Sequence, residues 1–194
     1  MSSPRIIAGK AKGRRLKSVP GNTTRPITDR TKESLFNIIG SDIIDSSLLD
    51  LFAGTGSVGI EALSRDASHV CFIDNNRKAI KTIRSNLEIT GFSIPRESPK
   101  IEVLQNDAFT YLKNIKGRNY DFIYVAPPQY KDMWIKALTL IDQNPEIMAN
   151  ICWVIVQIHP IEYCPIELKN LQLFYKRKYG STVLDFYEYV REES

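Results

Sequence analysis

The segment LLDLFAGTGSVGIEAL carries Gly54, Gly56 and Gly59 in G-x-G-x-x-G spacing, between an apolar run and a helical pattern. Glycine permits a tight turn and lets a ligand approach the backbone, and the N-terminus of the following helix supplies N–H donors. By itself the spacing is compatible with a dinucleotide-binding enzyme, with a methyltransferase that uses S-adenosyl-L-methionine (SAM), or with a structural turn between a strand and a helix.

Three successive apolar runs each contain an acidic residue inside the run or at its end. Asp50 lies inside the first run, where a buried carboxylate needs a positively charged partner. Asp74 ends the second run, where it can accept hydrogen bonds from both hydroxyls of a ribose, and Asp107 ends the third, where it can bond an adenine amino group. Asp74 and Asp107 could each instead cap the helix that follows. Together with the glycines, the three acids favour SAM over a cofactor with a pyrophosphate.

The elements that position these residues alternate along the chain. A first helix, TDRTKESLFNIIG, is capped by Thr28 or Asp29. Apolar strands then alternate with helical patterns, which predicts a parallel sheet with helices on both faces. The C-terminal LQLFYKRKYGSTVLDFYEYV has two strand-like runs joined by a Tyr-Gly-Ser turn, which predicts an antiparallel pair. The five earlier strands are LLDLFA, HVCFID, IEVLQND, YDFIYV and CWVIVQI.

Positive charge is concentrated near the start of the sequence. Residues 1–37 contain nine basic and two acidic side chains, a net charge of +7, whereas the remaining 157 residues carry −3. Such a field attracts the phosphate backbone of a nucleic acid, and the alternative is a flexible, solvated tail. Because Ile6, Ile7, Leu16 and Val19 alternate with the charges, we predict an ordered, hairpin-like arm that contacts nucleic acid.

Length and composition narrow the class of protein. The 194 residues suffice for one well-filled core. No apolar run approaches the roughly 18 residues of a membrane helix, and the N-terminus lacks the apolar stretch of a secretory signal, so we predict a cytoplasmic protein without a membrane partner. His69 and His159 stand alone, and no metal-ligand spacing is found among Cys71, Cys152 and Cys164, so we predict no metal.

Two stretches resemble known families. LLDLFAGTGSVGIEALSR resembles the cofactor motif of class I SAM-dependent methyltransferases. RIIAGKAKGRRLKSVPGNTTRPITDRTKESLFNII resembles the N-terminal arm of the RsmD family, bacterial 16S rRNA guanine-N2 methyltransferases; the similarity extends to about Pro128 and includes the final KYGSTVLDFYEY. It implies an α/β fold with a Rossmann-like, seven-stranded, mostly parallel sheet, an antiparallel C-terminal hairpin and a basic N-terminal β-hairpin arm. We divide the chain into an RNA-binding arm, residues 1–27, and a methyltransferase domain, residues 28–194.

The resemblance also gives a role to the loop after the fourth strand, YVAPPQY. Relatives carry an Asp/Asn-Pro-Pro-aromatic motif there, which accepts hydrogen bonds from the exocyclic amine of a flipped guanine and stacks on the base. Here Ala126 replaces the acid, and Tyr130 lies one place beyond the aromatic position. The backbone carbonyls of Ala126 and Pro127 and the amide of Gln129 remain as acceptors. Loss of one charge-assisted hydrogen bond predicts a reaction about 10- to 100-fold slower, not abolished. Without the upstream motifs, a plain turn is the simpler interpretation.

The resemblance and the residues together give a set of predicted site residues. For the cofactor they are Asp50, Phe52, Gly54, Gly56, Gly59, Asp74, Asn75, Asp107 and Ala108. For catalysis they are Ala126, Pro127, Pro128, Gln129 and Tyr130. For RNA they are Arg5, Lys10, Lys12, Arg14, Arg15, Arg25 and Arg30. For Lys32, two roles are considered, contact with a phosphate and a structural role at the start of the helix.

The predicted function is SAM-dependent methylation of a guanine N2 in 16S rRNA, either naked or in a 30S assembly intermediate, by a monomer. Ala126 prompts a second hypothesis, a SAM- and RNA-binding assembly factor without catalysis. A third is an amino methyltransferase for DNA or another RNA. A nicotinamide-dependent oxidoreductase fits least, because Asp50 and the basic arm have no role in one.

Overall fold

The computed structural model describes residues 3–21, 27–92, 100–129 and 132–190. Its strands are β1 (Ser47–Leu51), β2 (His69–Asp74), β3 (Ile101–Gln105), β4 (Tyr120–Val125), β5 (Met148–Ile158), β6 (Leu171–Tyr179) and β7 (Thr182–Tyr189). Its α-helices are α1 (Asp29–Ile39), α2 (Ser57–Ser64), α3 (Arg77–Thr90), α4 (Ala108–Asn114) and α5 (Met133–Asp142). Short 3-10 helices span Gly40–Ile43, Pro145–Ile147 and Pro160–Glu162.

The strands form one seven-stranded sheet in the order β3-β2-β1-β4-β5-β7-β6. The first five strands in that order are parallel, and β7 runs antiparallel to both of its neighbours. Gly180, with a φ of 57°, lies in the turn between β6 and β7, where the Tyr-Gly-Ser sequence predicts it. The predicted mostly parallel sheet with an antiparallel C-terminal hairpin is confirmed.

Helices cover both faces of the sheet, as predicted. On the first face, strand residues such as Leu48 and Phe72 pack with α1, α2 and α3. On the second face, their neighbours Leu49 and Ile73 pack with α4 and α5. Because successive side chains of a strand point to opposite faces, a run that is apolar at every position supplies both cores.

Helix α1 begins at the predicted capping sequence. The Oγ1 atom of Thr28 accepts a hydrogen bond from the N–H of Thr31 at 3.1 Å, which satisfies one of the free donors of the first turn. Asp29, the alternative cap, instead accepts from the Nε atom of Arg5 at 2.8 Å. The helix ends at Gly40, whose φ of 64° suits glycine.

Residues 3–21, the N-terminal segment, are packed onto the first face. Ile6 and Leu16 are each 1% exposed and belong to the core cluster of α1, α2 and α3. The predicted β-hairpin is present only as a single antiparallel bridge between Arg5 and Arg15. The division of the chain at residue 27 stays a prediction.

The bridge does not extend into strands because α2 binds the next backbone groups. The N–H groups of Ile7 and Ala8 donate to the carboxylate of Glu61, at 2.8 and 3.0 Å. The N–H of Ala11 donates to the Oγ atom of Ser64 at 2.9 Å. The segment therefore pairs with itself only around the bridge, where the N–H of Ile6 donates to the carbonyl oxygen of Arg14 at 2.9 Å, and beyond it follows the surface of α2.

A buried ion pair completes this contact and corrects the expectation for Lys32. Its ammonium lies 3.4 Å from Glu61, and neither side chain has any exposed surface. The ammonium also donates to the carbonyl oxygen of Arg5 at 2.7 Å and to the Oγ atom of Ser57 at 3.1 Å. Burial lowers the pKa of Lys32, and Glu61 opposes that effect. Lys32 therefore lies inside the protein and is not available to a phosphate.

Replacing Lys32 by alanine should destabilise the protein by about 3 kcal/mol, because the buried Glu61 carboxylate loses one of its two cationic partners and retains only Arg65. Urea denaturation measures the change. The matched control is Lys81→Ala on the exposed side of α3, which should change the free energy of unfolding by less than about 0.5 kcal/mol. Equal stability of the two variants would contradict the buried pair.

Candidate active site

A cavity of about 580 Å³ opens at the carboxyl ends of the parallel strands, a volume typical of small-molecule sites. It lies where β1 is flanked by β2 on one side and by β4 on the other, so the chain order reverses there. Ligands of open α/β sheets bind at such a point. We call the part of the cavity near the glycine loop the cofactor half, and the part near the loop after β4 the base half.

The cofactor half contains most of the residues predicted to hold SAM. Residues from the ends of β1, β2 and β3 and from the loops after them line it together. Those that coincide with the prediction are Asp50, Phe52, Gly54, Asp74, Asn75, Asp107 and Ala108. Their contact with a cofactor stays a prediction, and their convergence on one cavity supports it.

Asp74 fixes the glycine loop. Its Oδ2 atom accepts from the N–H of Gly54 at 2.8 Å, and its Oδ1 atom accepts from the N–H of Asn76 at 2.8 Å. The cap of α3 is Asn76, whose side chain accepts from the N–H of Lys78, so Asp74 is not the helix cap. Each carboxylate oxygen has a further lone pair, so the ribose hydroxyls of an adenosine could still be bound.

Asp107 is the cap of α4, and its contact with an adenine stays a prediction. Its Oδ1 atom accepts from the N–H of Thr110 at 2.9 Å and thereby caps α4. The same residue lines the cavity beside Ala108. Capping fixes the orientation of the carboxylate, which is useful for a group that must also meet a ligand.

Asp50 is the buried acid of the site, with 2% of its surface exposed. Its Oδ2 atom accepts from the N–H of Gly59 at 3.1 Å. Burial raises the pKa of Asp50 to about 7, although the hydrogen bond from Gly59 acts in the opposite direction. A cationic group in the cavity would stabilise the charged form, which fits the ammonium that the sequence assigns to this acid.

The three glycines have different roles. Gly54 lines the cavity with a φ of 55°, and a Cβ atom there would come no closer than 4.0 Å to another atom, the carbonyl oxygen of Phe52. Gly56 and Gly59 do not line the cavity. A Cβ atom at Gly59 would lie 2.3 Å from the ring of Phe72, so this glycine lets α2 pack closely on β2. The G-x-G-x-x-G spacing therefore combines one ligand-facing position with two packing positions.

Phe52 holds the turn between β1 and the glycine loop in an unusual conformation. Its φ is 71°, a region that non-glycine residues seldom occupy. The ring packs edge-on against Phe109, with centroids 5.9 Å apart. Strained backbone of this kind tends to occur at ligand sites, and here it aims the loop at the cavity.

The base half is formed by the loop after β4. Ala126, Pro127, Pro128 and Gln129 line it, whereas Tyr130 lies outside the described residues. The sequence did not single out the remaining wall, which comes from other parts of the chain. These residues are Ser18, Val19, Ile27, Tyr124, Met133 and Gln157.

One buried side chain connects the N-terminal segment with the glycine loop. Asn86 on α3 is fully buried, and its Oδ1 atom accepts from the N–H of Lys17 at 2.8 Å. Its Nδ2 atom donates to the carbonyl oxygens of Lys17, at 3.1 Å, and of Thr55, at 2.9 Å. Since Ser18 and Val19 follow directly, Asn86 places the segment at the rim of the cavity.

The predicted RNA-binding side chains lie on the outer surface of this segment and of α1. Arg5 pairs with Asp29 at 2.8 Å, and Lys10 pairs with Asp66. The other described members, Lys12, Arg14, Arg15 and Arg30, are exposed. Arg25 lies outside the described residues. A phosphate backbone could therefore reach four cations directly, close to the rim of the cavity.

Membrane-spanning helices and metal-ligand clusters are both lacking among the residues that the structure describes. No helix among these residues is long and apolar enough to span a bilayer. No group of three or more His, Cys, Asp or Glu side chains within them could hold a metal ion. His69 has a structural neighbour, because its Nε2 atom lies 2.9 Å from Glu102.

The strand order and the cavity between the glycine loop and the β4 loop define a methyltransferase of the Rossmann-like class. The chain belongs to the RsmD family: a family model described as "Conserved hypothetical protein 95" matches residues 4–188. Ribosomal RNA small subunit methyltransferase D of Haemophilus influenzae is 34% identical over 147 residues, 75% of this chain and 74% of the relative.

Two further relatives cover nearly the whole chain. YlbH of Bacillus subtilis (strain 168) is 40% identical over 188 residues, 95% of this chain and 98% of its own. The solved structure of yhhF from Escherichia coli superposes with a TM-score of 0.82 at 28% identity, covering 97% of this chain and 98% of that one. The family predicted from the sequence is confirmed.

Replacing Gly59 by alanine should destabilise the protein by about 1–3 kcal/mol, because the added Cβ would overlap the Phe72 ring. Thermal or urea unfolding measures this cost. In the control Gly117→Ala, nothing lies within 4 Å of the added atom, so only the strain of its positive φ, about 1 kcal/mol, is expected. A well-folded Gly59→Ala variant with an impaired cofactor site alone would assign Gly59 to the ligand instead.

The raised pKa of Asp50 should be visible in the pH dependence of the free energy of unfolding. Its pKa is about 7 in the folded protein and 3.8 in a model peptide, so the folded state retains a proton that the unfolded state has lost between these values. The free energy of unfolding should therefore fall as pH rises from about 4 to about 7, by a contribution on the order of 4 kcal/mol. The Asp50→Asn variant should lack this contribution. Parallel pH profiles of the two proteins without ligand would refute it.

Proposed function

We propose that this protein transfers a methyl group from SAM to the exocyclic N2 atom of a guanine in small-subunit rRNA. The observation that carries the proposal is one continuous cavity that joins the glycine and acid residues to the Ala126–Gln129 loop. A site of this form can hold a nucleoside cofactor and an extruded base next to each other. Membership of a family with relatives named rRNA methyltransferases gives the class of substrate.

The cofactor is S-adenosyl-L-methionine, and the residues of the cofactor half fit its parts. Asp50 offers a buried carboxylate to an ammonium group, and Asp74 offers free lone pairs to a ribose. Asp107 and Ala108 lie at the far end of the same half, in reach of an adenine. When bound, SAM supplies a methyl group on a positively charged sulfur.

The loop after β4 holds the nucleophile. The lone pair of guanine N2 is delocalised into the ring, so the amine needs a fixed position and acceptors for its N–H groups as positive charge develops. Carbonyl oxygens of Ala126 and Pro127 can accept, and the prolines contribute no competing N–H donor. The nitrogen lone pair would form the new N–C bond while the bond between that methyl group and sulfur breaks. The electron pair of the broken bond would return to sulfur, which leaves S-adenosylhomocysteine as the second product, and the methylated amine would release its proton to water.

The basic surface binds the RNA around that base. Lys12, Arg14, Arg15 and Arg30 are exposed, and Ser18 and Val19 of the same region border the cavity. Phosphate contacts of this kind set position and affinity without reading sequence. We further propose that the protein acts as a cytoplasmic monomer on naked 16S rRNA or on a 30S assembly intermediate.

One assay separates the proposal from its alternatives. Purified protein is incubated with methyl-labelled SAM and 16S rRNA or 30S subunits that lack the modification, and the nucleosides are analysed after digestion. Label in N2-methylguanine is the expected result. Binding of SAM and RNA without transfer would favour the assembly-factor hypothesis that Ala126 prompts, and label in another base would favour a different amino methyltransferase.

The Asp74→Ala variant tests the cofactor half through its affinity for SAM. It should weaken SAM binding more than tenfold, since both the ribose contact and the bond to the Gly54 N–H are lost. Calorimetry or equilibrium dialysis measures the affinity. The control Asp42→Ala, an exposed acid outside the cavity, should bind SAM normally. Unchanged affinity of the Asp74 variant would remove Asp74 from the cofactor site.

A further inference from the structure

Two polar side chains in the wall of the base half bond to each other. Tyr124, near the end of β4, is 3% exposed, and its hydroxyl donates to the Oε1 atom of Gln157, near the end of β5. Both residues line the cavity beside the proline loop. Gln157 is the polar residue of an otherwise apolar run, CWVIVQI, so packing in the core does not explain it.

The strand register places Gln157 next to the position of the missing acid. Val125 of β4 pairs with Val156 of β5, so the next residues, Ala126 and Gln157, lie side by side. Neighbouring strands are about 4.8 Å apart. This spacing is close to the width of the edge of guanine that carries N2, N1 and O6. A base whose amine meets Ala126 thus presents its O6 atom on the side of Gln157.

Tyr124 determines which end of the Gln157 amide faces the base. A glutamine amide has an accepting oxygen and an NH₂ group with two donors. The Tyr124 hydroxyl bonds to one lone pair of that oxygen and thereby fixes the rotation of the amide, and the NH₂ group supplies the donors that Gln157 can offer to a ligand in the cavity. Burial raises the pKa of Tyr124 well above its usual value, so the hydroxyl keeps its proton and remains a donor.

We propose that Gln157 is a specificity-determining residue, which donates a hydrogen bond from Nε2 to the O6 atom of the guanine, and that Tyr124 is its positioning residue. This inference rests on the proposed guanine-N2 transfer. The edge of guanine carries two kinds of donor, N2–H and N1–H, and one acceptor, O6. Carbonyls of the Ala126–Pro127 loop match the donors, and Gln157 matches the acceptor.

The test uses 2-aminopurine, which retains the amine but lacks both O6 and the N1–H donor of guanine. The loss of N1–H acts equally on wild type and on variants of Gln157, so the comparison between proteins isolates the contact with O6. The methylated guanine is first located by mapping the labelled product, and an RNA fragment is then made with 2-aminopurine in its place. The ratio of kcat/KM for guanine to kcat/KM for 2-aminopurine is measured for each protein. Wild type should prefer guanine by about tenfold or more, because 2-aminopurine leaves the buried amide donor unpaired.

Variants test whether Gln157 and Tyr124 cause the preference for guanine over 2-aminopurine. Gln157→Leu should lower kcat/KM for guanine about tenfold and leave the value for 2-aminopurine nearly unchanged, so the ratio falls about tenfold below that of wild type. Tyr124→Phe, which loses only the hydroxyl, should lower the ratio in part. The control Gln172→Leu, on exposed β6, should keep the wild-type ratio. SAM affinity, measured in parallel, should be retained in all three.

The outcomes distinguish this inference from the proposed function. Equal ratios for wild type and Gln157→Leu, with normal SAM affinity, would overturn the role of Gln157. If Gln157→Leu does not fold, the isosteric Gln157→Glu replaces it, and an acceptor facing O6 should lower the ratio at least as much. Absence of any transfer to guanine N2 by wild type would instead refute the proposed function.

Discussion

The buried carboxylate of Glu61 holds the N-terminal segment, α1 and α2 together. It accepts hydrogen bonds from Ile7 and Ala8, pairs with Lys32 and accepts from the Nε atom of Arg65 at 2.9 Å. A charge without exposed surface is tolerated only when its partners are all in place. Helix α2, which begins directly after the glycine loop, is therefore stable only with the N-terminal segment and α1 docked against it.

The positions of the two halves of the cavity follow from these contacts and from the pairing of the strands. The segment held by Glu61 continues through Lys17, which Asn86 links to Thr55 in the glycine loop. The segment that carries the predicted phosphate contacts and the elements that shape the cofactor half thus share one hydrophobic core. The base half belongs to β4 and β5, where sheet register aligns Ala126 with Gln157. Methyl transfer needs both halves at a fixed separation, which a single sheet provides.

Local patterns along the sequence were sufficient to predict most of the strands and helices of the fold. Runs such as HVCFID and the C-terminal Tyr-Gly-Ser turn predict strands and their direction because these depend on neighbouring residues. Lys32 was misjudged, since its partner Glu61 is distant in sequence and an isolated lysine pattern is typical of an exposed helix. Gln157 was missed for a related reason: its place beside Ala126 follows from the pairing of β4 with β5, which no local pattern specifies.

The link through Asn86 and Glu61 has a consequence for the order in which the chain acquires its structure. The segment leaves the ribosome before its partners Glu61 and Asn86, which lie 54 and 69 residues later in the chain than Ile7 and Lys17. Such distant contacts form late because a long loop must close before they do. The basic surface can therefore take its final shape only after α3 has been synthesised, so a growing chain should present an organised RNA surface and a cofactor loop at the same moment.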